Sequence, residues 1–359
     1  MKDKRKLVLI GTLVVLAILI HLFSSDALRV EHYYSTGIYP SIAIFLRYLF
    51  GWLPVSIGDI LYGVVIGWLL FKIIRSLRAL ATNRLQSSTF IARIYRLLTG
   101  ILLMYICFNL LWGINYNRKG IASQLGLILE KYSVNEVKEL NEVLLQKVNE
   151  SSNLLRQLPP ANLTSKEIFD RSVQAYRLVN QQYPFLTYHP VSIKTSLWGW
   201  LGNYVGFLGY YNPFTGEGQV NTGAPKFLQP YTNCHEIAHQ LGYAKENEAN
   251  FVGYLAAVAS KDESFHYSVY LDLFLYANRN LYQTDTAAAK AFSKQLLPAV
   301  RQDLNDWRKF NEQHKNLVEP LVHWMYGKYL ESNQQPAGIL SYDEVTGFMI
   351  AYYKKFGKL

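Results

Sequence analysis

The chain has 359 residues, of which 50% are apolar and 17% charged, with 36 Lys/Arg against 26 Asp/Glu and a formal net charge of +10. That apolar share exceeds what a soluble domain of this length requires. The charge is uneven: residues 1–113 carry twelve Lys/Arg and four Asp/Glu, leaving 24 and 22 for residues 114–359. The basic balance therefore belongs to the N-terminal third. With no basic stripe or recognition motif beyond it, the sequence argues against a nucleic-acid partner.

In chain order, "MKDKRK" precedes an apolar run from Leu7 to Phe23, interrupted only by His21. The run is longer than a secretory signal core and "HLFSSDALRVEHYY" is a poor cleavage site, so an uncleaved signal anchor is expected, with cleavage as the alternative. Further spans are predicted over about 57–74 and 95–113, each ending in interfacial aromatics. Residues 37–52 are too short to cross and carry Arg47, which predicts a helix lying at the outer interface. Lys2, Lys4, Arg5, Lys6, Lys72, Arg75, Arg78, Arg84, Arg93 and Arg96 flank one side of the three spans, against Arg29 and Arg47 on the other. This positive-inside bias predicts a multi-pass protein with a cytoplasmic N-terminus. Residues 1–116 then form a membrane domain, and residues 117–359 an extracytoplasmic, mostly helical domain with its own core.

That outer part opens with two capping boxes. Ser133 with Glu136, and Thr164 with Glu167, each stand before an amphipathic run, and "LPPANL" separates the two helices as a turn. The glycine- and aromatic-rich stretch that follows reads as a small β-hairpin, with strands at Val205 to Tyr211 and Gln219 to Asn221, or equally as a glycine-rich surface loop. Cys107 and Cys234 fall in different parts, and no disulfide is expected.

Next comes "NCHEIAHQLGYAKENEAN". Pro230 suits the first turn of a helix and Gly242 the position past its end, predicting one helix from Pro230 to Leu241. His235 and His239, four apart, project from one face at a spacing that lets two imidazoles share a zinc ion. Glu236 is offset by one residue, where a base acting on zinc-bound water stands. Catalytic zinc wants a third protein ligand and an open position. No histidine follows until His266, so the ligand must be a carboxylate on the helix after Gly242. Glu248 is the best candidate and Glu246 the alternative.

These residues carry a resemblance. "HEIAHQLG" followed by "ENEAN" resembles the gluzincin metallopeptidases, whose third zinc ligand is a glutamate. Three spans, "LWGINYNR" and "CHEIAHQLGYAKENEANFVGYLA" together resemble the bacterial membrane family described as domain of unknown function 3810. The resemblance implies a zinc-dependent, peptidase-like protein of the bacterial cytoplasmic membrane, with His235, His239 and Glu248 on zinc and Glu236 as base.

Other residues draw weaker attention. His323, Tyr326 and Tyr329 can supply an oxyanion donor, but packing of an amphipathic helix is the preferred account. Asp59 reads as the interfacial start of the second span, and Cys234 as a buried residue on the back of its helix. The expected protein is thus an integral membrane zinc metallopeptidase acting on peptides or proteins outside the cytoplasm. A segment near Val205 to Tyr211 would offer a strand edge to an extended substrate. The rival is a non-catalytic, membrane-anchored zinc-binding or transport component. Substrate identity and oligomeric state are not legible in the sequence.

Overall fold

A computed structural model describes residues 2–81, 87–159, 163–333 and 342–359. Helix α1 (Lys2–Ser24) is followed by a single turn, α2 (Ala27–Arg29), capped by the Asp26 side chain, and by a π-helical stretch, Val30–Ile38. Then come α3 (Tyr39–Phe50), α4 (Ile57–Ala81) and α5 (Ser87–Leu111). Three segments, Lys4–Ser24, Ile57–Ala79 and Ile91–Leu111, are long and apolar enough to cross a membrane, as the sequence predicts. Only 17%, 11% and 6% of these windows are buried inside the protein, so their apolar side chains point outward, where hydrocarbon rather than water suits them. Helix α1 packs along α5, while α4 has no comparable packing against either. Arg84, part of the charge bias, lies outside the described residues.

A 3₁₀ turn (Gly113–Asn117) leads to α6 (Gly120–Leu125), α7 (Val134–Gln157) and α8 (Ser165–Gln182). Both predicted capping boxes are present: Ser133 and Thr164 accept from the backbone of Glu136 and Glu167, whose carboxylates reach back to the cap N–H groups. Of the predicted turn "LPPANL", residues 160–162 lie outside the described residues.

The expected hairpin is part of a three-stranded sheet. Strand β1 (Ile193–Thr195) precedes a short helix, α9 (Gly199–Val205), and then β2 (Gly209–Asn212) and β3 (Glu217–Val220) follow in the order β1-β3-β2. The first predicted strand thus begins four residues late, because Val205 ends α9 and the chain reverses at Gly206. The second lies at Glu217–Val220 instead of 219–221. Strand β1, unforeseen, runs parallel to β3 with Lys194 opposite Gln219, and β2 runs antiparallel with Tyr210 opposite Gln219. Three residues are too few to show a period, and such a strand is invisible until its partner is known.

Helices α10 (Gln229–Gln240), α11 (Glu246–Ala259) and α12 (Glu263–Thr284) occupy the centre. Around them lie α13 (Thr286–Gln295), α14 (Pro298–His314), α15 (Glu319–Ser332) and α16 (Tyr342–Phe356). Helix α12 packs along α7, and α10 lies against α11 and β3. Cys234, Ile237, Ala238, Phe251 and Phe274 are fully buried there, so polar groups on α10 and α11 need internal partners.

The N-terminal elements supply several of those partners. The last carbonyls of a helix have no intrahelical donor. Here Tyr39 Oη and Arg47 Nη1 donate to Gln240 O at 2.9 and 3.0 Å, and Trp112 Nε1 to His239 O at 3.1 Å. A cation at this end also opposes the helix dipole favourably. Arg118 donates to Gly242 O at 3.1 Å and pairs with Glu31 at 2.7 Å. Arg47, expected on an interfacial helix, is in fact buried against the end of α10, also donating to Pro190 O at 3.0 Å. The sheet holds the start of α4 in the same manner: Glu217 accepts from the N–H groups of Ile57 and Gly58 at 3.1 and 2.6 Å, while Lys194 neutralises its charge.

Candidate functional site

Helix α10 ends at Gln240, and Gly242, at φ 87°, turns the chain back; that conformation, with the Tyr39 ring 2.7 Å from any added Cβ, calls for glycine. The turn returns α11 alongside α10, so near that a Cβ at Gly253 would lie 3.1 Å from the His235 backbone nitrogen. This brings His235, His239 and Glu246 together, with one ligand atom from each lying within 4.8 Å of the others. No other such group converges among the described residues. His235 Nε2 stands 3.4 Å from Glu246 Oε2, and His239 Nε2 3.7 Å from Glu246 Oε1.

The opposite ring nitrogens are engaged. His239 Nδ1 donates to Tyr243 O at 2.8 Å, and His235 Nδ1 lies 2.9 Å from Asn250 Oδ1, itself 3.3 Å from Tyr231 Oη. Such partners fix the ring orientation and direct the Nε2 atoms at the centre of the group, as in metal-binding histidines generally. Tyr326 Oη donates to Glu246 Oε1 at 2.8 Å and steadies that carboxylate.

Burial and charge set the protonation states. Burial disfavours charge on His235, but hydrogen bonding and attraction to Glu246 outweigh it and lift the imidazole to about 9. Burial lowers His239 to about 4, and the neighbouring His235 charge adds to this. Burial raises the Glu246 carboxyl, yet the two histidines pull it down to about 2. These shifts run in the direction that pairs a protonated His235 with an ionised Glu246 in the metal-free protein. Glu236 differs: burial pushes it up to about 8, and its Oε2 is buried without a hydrogen-bond partner. A Cβ at Gly209 would come within 2.5 Å of Glu236 Oε1, so that glycine in β2 makes room for the carboxylate. Two imidazoles and a carboxylate, with oriented rings and an unpartnered acid alongside, are a donor set able to hold a metal ion.

The carboxylate that converges with the two histidines is Glu246 and not Glu248. Glu248 points away, its carboxylate filling the space where Gly120 lacks a side chain, near Arg118. The cause is helical geometry: two residues on a helix are separated by about 200°, so two glutamates so spaced cannot face the same histidines. Tyr326 also departs from expectation, since it contacts the site in addition to packing. Tyr329 lies nearby with its Oη 3.1 Å from Tyr116 Oη, whereas His323 is exposed beside Glu319. Cys234 is buried, and neither cysteine is in a disulfide. Asp59 is buried and structural: it accepts from Leu197 N at 2.6 Å and from Tyr210, while its carbonyl accepts from Trp198 Nε1 at 3.0 Å.

The cavity holds one more acid. Asp272 on α12 lines the same cavity, and burial raises it to about 6, with Tyr276 as partner. Its signal was an acid inside the apolar run "VYLDLFLYA". The cavity measures about 930 Å³. His235, Glu236, His239 and Glu246 lie on one side of it, and Ile66 and Leu70 of α4 and Phe108 of α5 on another.

Three spanning-type helices joined to a buried two-histidine, one-carboxylate group define the class: a mainly helical membrane protein with a candidate metal centre. The chain belongs to the family described as "Protein of unknown function (DUF3810)", whose model matches residues 34–350. Neither curated proteins nor solved structures give a match.

Proposed function

We propose that the protein is a membrane-anchored, zinc-dependent peptidase of the zincin type, with His235, His239 and Glu246 holding the metal and Glu236 as general base. The observation carrying this reading is the convergence of those three ligands beside a buried, unpartnered Glu236 at the wall of a large cavity. A zinc ion there supplies Lewis acidity, polarising a carbonyl and rendering a water acidic near neutral pH. Amide hydrolysis adds the water oxygen to the carbonyl carbon, breaks the C–N bond and delivers a proton to the departing amine. Glu236 is placed to accept the proton from water and to pass it to that amine. Strand β2 lies at the sheet edge next to Glu236 and supports pairing with an extended peptide. Tyr326 is a positioning residue acting through Glu246.

The deciding variant is Glu236→Gln, which keeps size and hydrogen-bonding reach but cannot take the proton. Full-length variant protein should retain about one zinc per chain and its thermal stability, while peptide release outside cells falls at least about a hundredfold. A zinc-loaded wild type that releases no peptide absent from the variant strain would favour the non-catalytic alternative. The same proposal places the site outside the cytoplasm, following the distribution of Lys and Arg. A reporter fused after Lys119 should behave as exported; cytoplasmic behaviour would overturn that placement.

A further inference from the structure

The cavity does not stop at the metal group. Its far wall is a stripe on α4 made by Tyr62, Gly63, Ile66, Gly67 and Leu70, residues that recur on one helical face. Leu70 lies about 20 Å along the helix from Ile57, well into a hydrocarbon layer about 30 Å thick. The two glycines hollow out the stripe: the Trp198 ring would be 2.9 Å from a Cβ at Gly63, and nothing lies within 4 Å of one at Gly67. Ile66 and Leu70 remain 56% and 54% exposed, which in a bilayer means facing lipid chains. The cavity is therefore continuous with the membrane interior along α4.

A second observation comes from the roof. Helices α9 and α15 pack together beside this opening and expose Trp200, Leu201, Trp324 and Met325. Aromatic and apolar side chains of this kind settle at the membrane interface. The metal group thus sits just above an apolar trough that descends beside α4.

The chemistry of the trough restricts what can lie in it. A hydrocarbon chain has no polar group to satisfy there, whereas an extended peptide backbone would leave its N–H and C=O groups without partners, because the α4 stripe offers only the Tyr62 hydroxyl. A transmembrane helix satisfies its own backbone but would have to unwind before its amides could pair with β2. A hydrocarbon chain also moves between like surroundings on entering from the bilayer.

We infer that the substrate is a lipidated peptide or protein, entering sideways from the membrane with its hydrocarbon chain along α4 and its amide-bearing head at the metal group. This inference rests on the peptidase reading for what happens to the head, but the chain-binding part is tested separately. The shared chemistry is a long hydrocarbon chain; an acyl or an isoprenoid group would each supply it.

The test uses full-length, zinc-equilibrated Glu236→Gln protein in lipid nanodiscs, so that bound probe is not consumed. The probes are one peptide sequence made in two forms, N-palmitoylated or S-farnesylated, each with a photoreactive diazirine near the end of the hydrocarbon chain. Crosslinks should map to α4 and α5 around Ile66, Gly67, Leu70 and Phe108, and the more efficient probe identifies the source of the chain. Introducing Gly67→Trp, which fills the open part of the trough, should cut the yield at least fivefold, whereas Gly67→Ala should keep it. If Gly67→Trp fails to retain zinc, Ile66→Trp takes its place. Crosslinks confined to other parts of the protein, or a yield indifferent to the tryptophan, would overturn the inference. In wild-type protein, cleavage of the unlipidated peptide as fast as both lipidated forms would also overturn it while leaving the peptidase reading intact. Trough crosslinking without hydrolysis of any probe would sink the peptidase reading and leave the hydrocarbon site standing.

Discussion

The two sides of the cavity are built on opposite principles. On the α10–α11 side, imidazole Nδ1 atoms, helix-end carbonyls and the Glu246 carboxylate are tied by hydrogen bonds inside a densely buried core. On the α4 side the wall is apolar, hollowed by glycines, and joined to the rest mainly through its first turn, at Asp59 and Glu217. The contrast teaches that a rigid polar group and an open apolar face can share one cavity because separate elements build them. Changes to one side should therefore leave the other nearly untouched.

Beyond Glu236→Gln, the sharpest way to break that separation is through the two glutamates. Glu246→Gln should weaken zinc binding at least about tenfold, and Glu248→Gln should leave it within about twofold, measured by metal titration of the full-length protein. Equal losses would mean that Glu248 turns toward the histidines when metal arrives, and that the α10–α11 side is less rigid than described.

A smaller effect is expected from the α4 side. Asp59→Asn removes a buried carboxylate that accepts from Leu197 N and Tyr210, and should cost about 1–3 kcal/mol of stability. Zinc affinity should not change. A large loss of zinc in this variant would show that the tie at the top of α4 also positions the metal group.

The last effect concerns pH. Burial raises Glu236 from the ordinary carboxyl range to about 8 in the metal-free protein. A carboxyl with a raised folded pKa favours the fold while protonated, so its contribution is present below about 4.5 and is lost as pH rises toward 8. His235, raised to about 9, adds a loss of the same sign between about 6.5 and 9 in both proteins. Metal-stripped wild type should therefore lose more melting temperature between pH 5 and 8 than metal-stripped Glu236→Gln. Parallel curves would mean that water reaches the carboxyl and that its burial is incomplete in solution.

Local signals determined much of this protein. Unbroken apolar runs marked the three spanning-type helices, Ser133 and Thr164 announced their helices three residues before Glu136 and Glu167, and the spacing of His235 and His239 put both imidazoles on one face. Each of these depends on neighbours within a few residues, where chain geometry alone fixes who meets whom. The tertiary structure decided what local spacing cannot. It chose Glu246 over Glu248, because the turn at Gly242 and the docking of α11 set which face of that helix meets the histidines. It brought Tyr326 from about 80 residues away, buried Arg47 on the end of α10, paired β1 with β3, and laid α4 along the cavity. These contacts depend on the packing of distant elements, for which no periodicity within a segment carries a record.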